Sequence, residues 1–295
     1  MKVQNDQGVY MKFKRIMACI LSSAVLMAAA GCGSSGDSSE LSGKLSISGS
    51  SALFPLAKDG ALKFKEKHPK VAIALNAGGS GTGLKQVYQG SVDIGNSDVE
   101  AVKKLPESKA KQLVDHKVCI MTIAVVVNKD VGAEVQNLTT ETLQDIFTGK
   151  IRNWKEAGGP DEPIILVTRP STSGTRALFN ELALKGMEEK AGGSLETEDS
   201  GTLLQMITQS KGAVGYVSLP YIIHNRDVSI LSIDGVAPTL ENTYNGTYKV
   251  WGYEHMYTKG EPSGVVKAYL DFMLSDEYGK ELEKAGYGVP SKMKF

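Results

Sequence analysis

Gly49-Ser50-Ser51-Ala52-Leu53-Phe54-Pro55 follows the alternating run 44–48 and opens a stretch in which Leu53, Ala57, Ala61 and Phe64 stand at helical spacing. This pattern predicts a short strand, a loop of small hydroxylic residues and an amphipathic helix. The junction matters because a helix N-terminus leaves amide groups without intrahelical acceptors and carries about half a positive charge. Such a terminus suits a bound anion, although an ordinary serine N-cap has the same sequence signature.

The same strand, loop and helix order occurs twice more. Gly78-Gly79-Ser80-Gly81-Thr82-Gly83 lies between the run 71–75 and a helical stretch at 84–89, and its glycines let backbone approach a ligand closely. It is not a nucleotide P-loop, since Lys85 is displaced from the position after the last glycine and no Ser or Thr follows it. Thr168-Arg169-Pro170-Ser171-Thr172-Ser173-Gly174-Thr175 follows the run 164–168, precedes Leu178 and Leu182 at helical spacing, and adds a planar guanidinium suited to tetrahedral oxyanions. Further apolar runs at 92–94, 120–127, 214–217 and 248–257 alternate with helical patterns, which predicts an α/β protein.

A chain of 295 residues with 41% hydrophobic and 22% charged residues is large enough for two lobes and too apolar for disorder. The long apolar runs 118–127 and 248–257 are placed to cross between lobes as a two-stranded hinge. That gives lobe I as 44–124 plus 252–295 and lobe II as 125–251, with two of the hydroxylic loops in lobe I and one in lobe II. Each lobe then brings its own helix N-terminus to a cleft that can close over a small ligand.

Basic and acidic residues balance at 33 each, which excludes the long-range field that a nucleic-acid partner would need. Lys2, Lys12, Lys14 and Arg15, against Asp6, precede Cys32, so 29 basic and 32 acidic residues remain from Cys32 onward, a net of −3. An anion site in that chain must concentrate its donors locally. Lys12, Lys14 and Arg15 are followed by the apolar stretch 16–30 and Gly31-Cys32, which predicts a signal peptide over 1–31 rather than a spanning helix. Ala29-Ala30-Gly31-Cys32 resembles a bacterial lipobox, implying an extracytoplasmic lipoprotein anchored to the membrane through lipid on Cys32. The Gly- and Ser-rich stretch 32–43 then reads as a flexible tether. With Cys19 in the signal and Cys32 modified, Cys119 is left with no disulfide partner and reads as core. His68, His116, His224 and His255 show no metal-ligand spacing, so no metal or cofactor is expected.

Asp98, in Ile94-Gly95-Asn96-Ser97-Asp98, falls at the C-terminal end of a strand, where ligands of open α/β sheets gather. A carboxylate there fits an anion that carries a proton, such as hydrogen phosphate, and opposes fully ionised sulfate; an acid capping a local turn is the alternative.

The loops in this order resemble the periplasmic phosphate-binding proteins of ABC importers. So do Asp145-Ile146-Phe147-Thr148-Gly149-Lys150-Ile151-Arg152-Asn153-Trp154, Gly212-Ala213-Val214-Gly215-Tyr216 and Gly286-Tyr287-Gly288. The resemblance spans residues 44–289. It implies a type II periplasmic-binding fold, capture of inorganic phosphate without catalysis, and delivery to the permease and ATPase subunits of an importer. Carried onto this sequence it implies phosphate ligands at Ser50, Ser51, Ala52, Leu53, Ser80, Arg169, Ser173, Gly174 and Thr175, with Asp98 accepting the phosphate proton. Relatives place an acidic residue two positions after the arginine; Ser171 stands there in this chain, so the guanidinium is steered differently, with Arg176 either compensating in part or standing as a surface residue.

Three rival readings stay open on the sequence: a binding protein for sulfate or molybdate, a phosphate-sensing lipoprotein that feeds no transporter, and a serine hydrolase using Ser80 or Ser173. No strand-elbow pattern pairs either serine with a histidine, which counts against the last. Cys32→Ser is expected to release the protein from the membrane while leaving ligand binding intact. Fractionation of cells checks this, and membrane retention equal to the unsubstituted protein would contradict it.

Overall fold

The computed structural model describes residues 40–190 and 194–295. The signal segment, Cys32 and most of the 32–43 tether lie outside the described residues. Ten strands stand among those described: β1 (Gly43–Gly49), β2 (Val71–Ala77), β3 (Ile94–Ser97), β4 (Leu113–Asn128), β5 (Asn137–Leu138), β6 (Ile165–Thr168), β7 (Leu195–Glu196), β8 (Ala213–Ser218), β9 (Val228–Ile233) and β10 (Trp251–Lys259). The helices are α1 (Phe54–Lys67), α2 (Ser80–Gln89), α3 (Glu107–Ala110), α4 (Lys129–Gly132), α5 (Thr140–Phe147), α6 (Gly174–Leu182), α7 (Ser200–Gln209), α8 (Leu240–Tyr244), α9 (Gly264–Met273) and α10 (Asp276–Leu282).

Strand order is β2-β1-β3-β10-β4-β8-β6-β7, with β9 beside β4 and β5 beside β9. β1 lies between parallel neighbours β2 and β3, while β10 is antiparallel to both β3 and β4. β4 changes partners midway. From Leu113 to Thr122 it pairs with β10, and from Ile123 onward it pairs with β8 and then β9. One 16-residue strand therefore belongs to the sheets of both lobes of this α/β fold.

The two sheets bury separate cores. Leu45, Ile47, Leu53, Phe64, Ile94, Cys119 and Tyr269 pack together in the first lobe, and Phe147, Trp154, Phe179 and Tyr216 in the second. Cys119 is fully buried and its thiol is pushed up by that burial, in keeping with a packing role. Phe179 and Tyr216 stack at 4.1 Å between centroids, and burying a side chain of the Phe179 class stabilises by roughly 1.5–3 kcal/mol.

Several bounds differ from those read off the sequence, for identifiable reasons. The strand expected at 92–94 begins at Ile94 because Asp93 turns back on β1, where its Oδ2 accepts from Ser46 N and Oγ, each at 2.7 Å. β4 starts at Leu113, well before the apolar run 118–127, since its half-exposed first stretch alternates along β10. β10 starts at Trp251 rather than 248, because Tyr248 turns inward and its hydroxyl donates to Ile123 O at 2.6 Å. β9 adds a strand the run-by-run reading passed over.

α2 lies almost on the backbone of β1. A Cβ at Gly83 would stand 2.6 Å from Gly49 Cα and from Ser48 O, so only glycine permits the approach that brings the N-terminus of α2 to the end of β1.

Below α6, Glu189 is buried beside Arg176, with Oε2 3.5 Å from its Nε, and faces the Tyr216 hydroxyl. Burial pushes its carboxyl from 4.5 up to about 7, against the opposing pull of Tyr216 and Arg176. The folded-state value lies above the unfolded one, so this group's favourable contribution is complete below about 4.5 and lost as pH rises to about 7. The loss is on the order of 3 kcal/mol. Glu189→Gln, which cannot ionise, is expected to show a smaller fall in urea midpoint between mildly acidic and mildly alkaline buffer than the unsubstituted protein. Equal falls in the two proteins would contradict it.

Candidate anion site

The N-termini of α1, α2, α6 and α7 converge where the two lobes meet, each with a serine just before it or as its first residue. Ser50 closes the first loop onto itself: its Oγ accepts from Ala52 N at 3.0 Å and Leu53 N at 3.2 Å. The loop is pinned from below by two tyrosine hydroxyls, Tyr221 donating to Ser51 O at 2.7 Å and Tyr287 to Ala52 O at 2.6 Å. Ser51 is thereby turned toward the second lobe, where its Oγ lies 3.1 Å from Ser200 Oγ and accepts from Ser200 N at 3.2 Å.

Ser80 is the first residue of α2 and is fully buried; its Oγ accepts from Asp98 N at 3.0 Å. Asp98 follows β3, is 2% exposed, and takes the Thr175 hydroxyl on Oδ2 at 2.6 Å. That bond ties the second lobe to the first. Gly174 packs so tightly at the same junction that a Cβ would stand 2.3 Å from Ser80 Oγ and 2.9 Å from Asp98 Cβ. Ser173 caps α6 by accepting from Arg176 N at 3.2 Å, leaving the Gly174 and Thr175 amides at a helix start that has no intrahelical acceptors for them. The third loop is gripped from the first lobe as well. Gly81 N donates to Thr172 O at 2.9 Å, and Lys104 Nζ donates to Ser171 O and Ser173 O at 2.7 and 3.0 Å. Burial lowers the Lys104 ammonium, while Asp98 opposes that shift.

Arg169 is 1% exposed, and its hydrogen-bond partners are neutral. Nε donates to Thr197 O at 2.9 Å, one terminal nitrogen to Ser200 Oγ at 3.2 Å, and the other to Ser51 Oγ at 3.2 Å and to Glu198 O. The orienting group that the sequence lacked at Ser171 is thus the pair of carbonyls at Thr197 and Glu198. Arg176 acts elsewhere, since its guanidinium donates to Arg169 O at 2.6 Å and fixes the backbone rather than the fork. Asp199 caps α7; burial opposes its ionisation, but the Thr202 hydroxyl and amide, with Arg169 behind them, hold its carboxyl below the usual range.

All ten residues named from the sequence come to this one place, though in different relations. Ser51, Ser80, Asp98, Arg169, Ser173 and Thr175 are buried in the cluster, Gly174 forms its tight junction, and the Ala52 and Leu53 amides are engaged by Ser50 Oγ. Sequence reasoning missed Ser200, Lys104 and Tyr221. Asp199-Ser200-Gly201-Thr202 opens a helix with the same small hydroxylic composition as the other loops, and that signal was available. Lys104 and Tyr221 carried no comparable mark. Chemically, the cluster gathers hydroxyl and amide donors around one guanidinium and one carboxylate acceptor, a set matched to a small oxyanion bearing a proton.

Known proteins bear on which oxyanion that is. A family model for the PBP superfamily domain matches residues 34–277. The phosphate-binding protein PstS of Bacillus subtilis (strain 168) is 44% identical over 92% of this chain and 92% of its own length. A PstS of Staphylococcus epidermidis is 28% identical over 96% of this chain and 91% of its own. Among solved structures, a Clostridium perfringens protein with bound phosphate aligns at a TM-score of 0.76 and 33% identity, covering 84% of this chain and 99% of that one. An ABC-type phosphate transport receptor from Vibrio cholerae aligns at 0.66 and 28% identity, covering 83% and 100%. The chain belongs to the PBP superfamily and, within it, to the family of the phosphate-binding protein PstS.

Proposed function

We propose that this protein captures inorganic phosphate, as hydrogen phosphate, outside the cytoplasm and delivers it to the permease and ATPase subunits of an ABC importer. The observation that carries the reading is Asp98: a buried carboxylate acceptor set among serine and threonine hydroxyls, helix N-termini and the Arg169 guanidinium. Donors alone would serve any oxyanion, whereas the acceptor selects one that brings a proton. Ser50, Ser51, Ala52, Leu53, Ser80, Arg169, Ser173, Gly174 and Thr175 are its partners in binding. The names of the Bacillus and Vibrio relatives point the same way.

The role is binding rather than catalysis. Ser51 and Ser200 are committed to each other and to Arg169, Ser80 accepts from the Asp98 amide, and His255 is paired instead with Asp115, its Nδ1 2.8 Å from Oδ1. Lobe I comprises 44–124 with 252–295 and lobe II comprises 125–251. The crossings fall close to where β4 exchanges β10 for β8, and Ile123 N there donates to Val250 O at 2.9 Å. Lipid on Cys32 and the 32–43 tether would hold the lobes near the importer while leaving them free to open toward it.

The test is a pair of calorimetric titrations, phosphate and sulfate, on the unsubstituted protein and on Asp98→Asn. The unsubstituted protein is expected to bind phosphate one to one and to discriminate strongly against sulfate. An amide donates where a carboxylate repels, so Asp98→Asn is expected to narrow that preference by tenfold or more, about 1.4 kcal/mol. An unchanged ratio rejects Asp98 as the selecting residue, and no phosphate binding rejects the function.

A further inference from the structure

Glu254 lies on β10 where the register with β4 shifts, and it is fully buried. β10 is hydrogen-bonded to β3, the strand that ends just before Asp98. Both carboxyl oxygens of Glu254 lack a hydrogen-bond donor, and so does Oδ1 of Asp98, although all three are buried. In the antiparallel ladder His255 pairs with Ser97, so Glu254 and Asp98 are the next residues along on the two adjacent segments. Side by side in a dry interior, two ionised carboxyls repel, while a single proton between them turns the contact into a hydrogen bond. Burial, and after it the charge of Asp98, pushes Glu254 far above the ordinary carboxylate range. The other titratable groups near Glu254 are Cys119 on β4, Tyr287 and Tyr221, whose own ionisation burial opposes; the nearby cation is Lys104, whose charge interacts with Asp98.

We propose that Glu254 is a positioning residue of the anion site, a carboxyl that keeps its proton and donates it to Asp98, so that Asp98 meets the bound anion purely as an acceptor. The inference rests on the phosphate reading above and deepens it. Thr175 already holds Oδ2 of Asp98, and a proton from Glu254 would meet the buried, otherwise unpartnered Oδ1, so that the pair presents one negative charge to an incoming anion instead of two. An anion with a proton adds one more bond to that charge. One without a proton meets only repulsion.

Two measurements test this. The first is infrared difference spectroscopy of the full protein at neutral pH, comparing the unsubstituted chain with Glu254→Gln. A carbonyl band of a protonated carboxyl is expected in the former and missing in the latter; identical spectra would mean that Glu254 is ionised and would overturn the proposal even if phosphate binds normally. The second is titration with phosphate and with sulfate of the unsubstituted protein, Glu254→Leu and Glu254→Gln. Leucine fills the space without a donor and is expected to cut the phosphate-to-sulfate preference by about tenfold or more, and glutamine, whose amide donates, to recover a large part of that loss. If leucine lowers the melting temperature but leaves the preference unaltered, Glu254 is merely structural and the proposal fails. Should the leucine variant not fold, the infrared comparison decides. An unsubstituted protein that shows the band and binds no phosphate removes the phosphate reading and leaves the shared proton standing.

Discussion

A guanidinium taken almost wholly out of water is the constraint around which the second lobe is arranged. Removing such a charge from solvent costs several kcal/mol unless its donors are met, and here carbonyls and hydroxyls meet them. A carboxylate partner would satisfy the fork equally well but cancel its charge. Neutral acceptors orient Arg169 and leave its charge to act on whatever lies between the lobes. That arrangement explains why residues 197–200 must pass close behind the third loop, why β7 pairs with β6, and why α7 starts where it does.

On the first lobe the corresponding constraint is steric. The hydroxyl of Ser80 reaches the Asp98 amide only because α2 lies directly on β1, and that contact tolerates no side chain at Gly83. Gly174 plays the same part across the junction. Small residues in these loops therefore act less by flexibility than by proximity: they let backbones and short hydroxyls of two lobes occupy one small volume. The acid at the centre of that volume is the exception that gives it chemical character.

Much of this was legible in the sequence. The three hydroxylic loops, the α/β alternation and the acid at the end of β3 have local signatures, because a strand, a helix start and a turn are each set by residues adjacent in the chain. What escaped was whatever depends on side chains meeting from distant segments. Nothing near Arg169 in the sequence announces that Thr197 and Glu198 will supply its carbonyls, and Glu254 sits in Tyr253-Glu254-His255 like any acid on a half-exposed strand. Its complete burial follows from the meeting of β10 with β3 and β4, which pattern reading treats as separate runs. Ser200 was within reach of sequence reasoning, since its loop repeats the composition of the others.

The sharing of β4 between both sheets also bears on how the chain acquires its structure. β1, β2 and β3 come early in sequence, yet the strand that joins them to β4 is β10, which follows the whole of the second lobe. The first sheet thus closes by pairing segments far apart along the chain, a slow kind of contact whose loop entropy must be met before any gain. The second sheet, β4 through β9, lies in one continuous segment and closes shorter loops, so its delay is smaller. A chain emerging from its N-terminus therefore completes its later lobe first and carries an open edge on β3 until the C-terminal segment arrives, which makes that edge the vulnerable surface while the chain is incomplete.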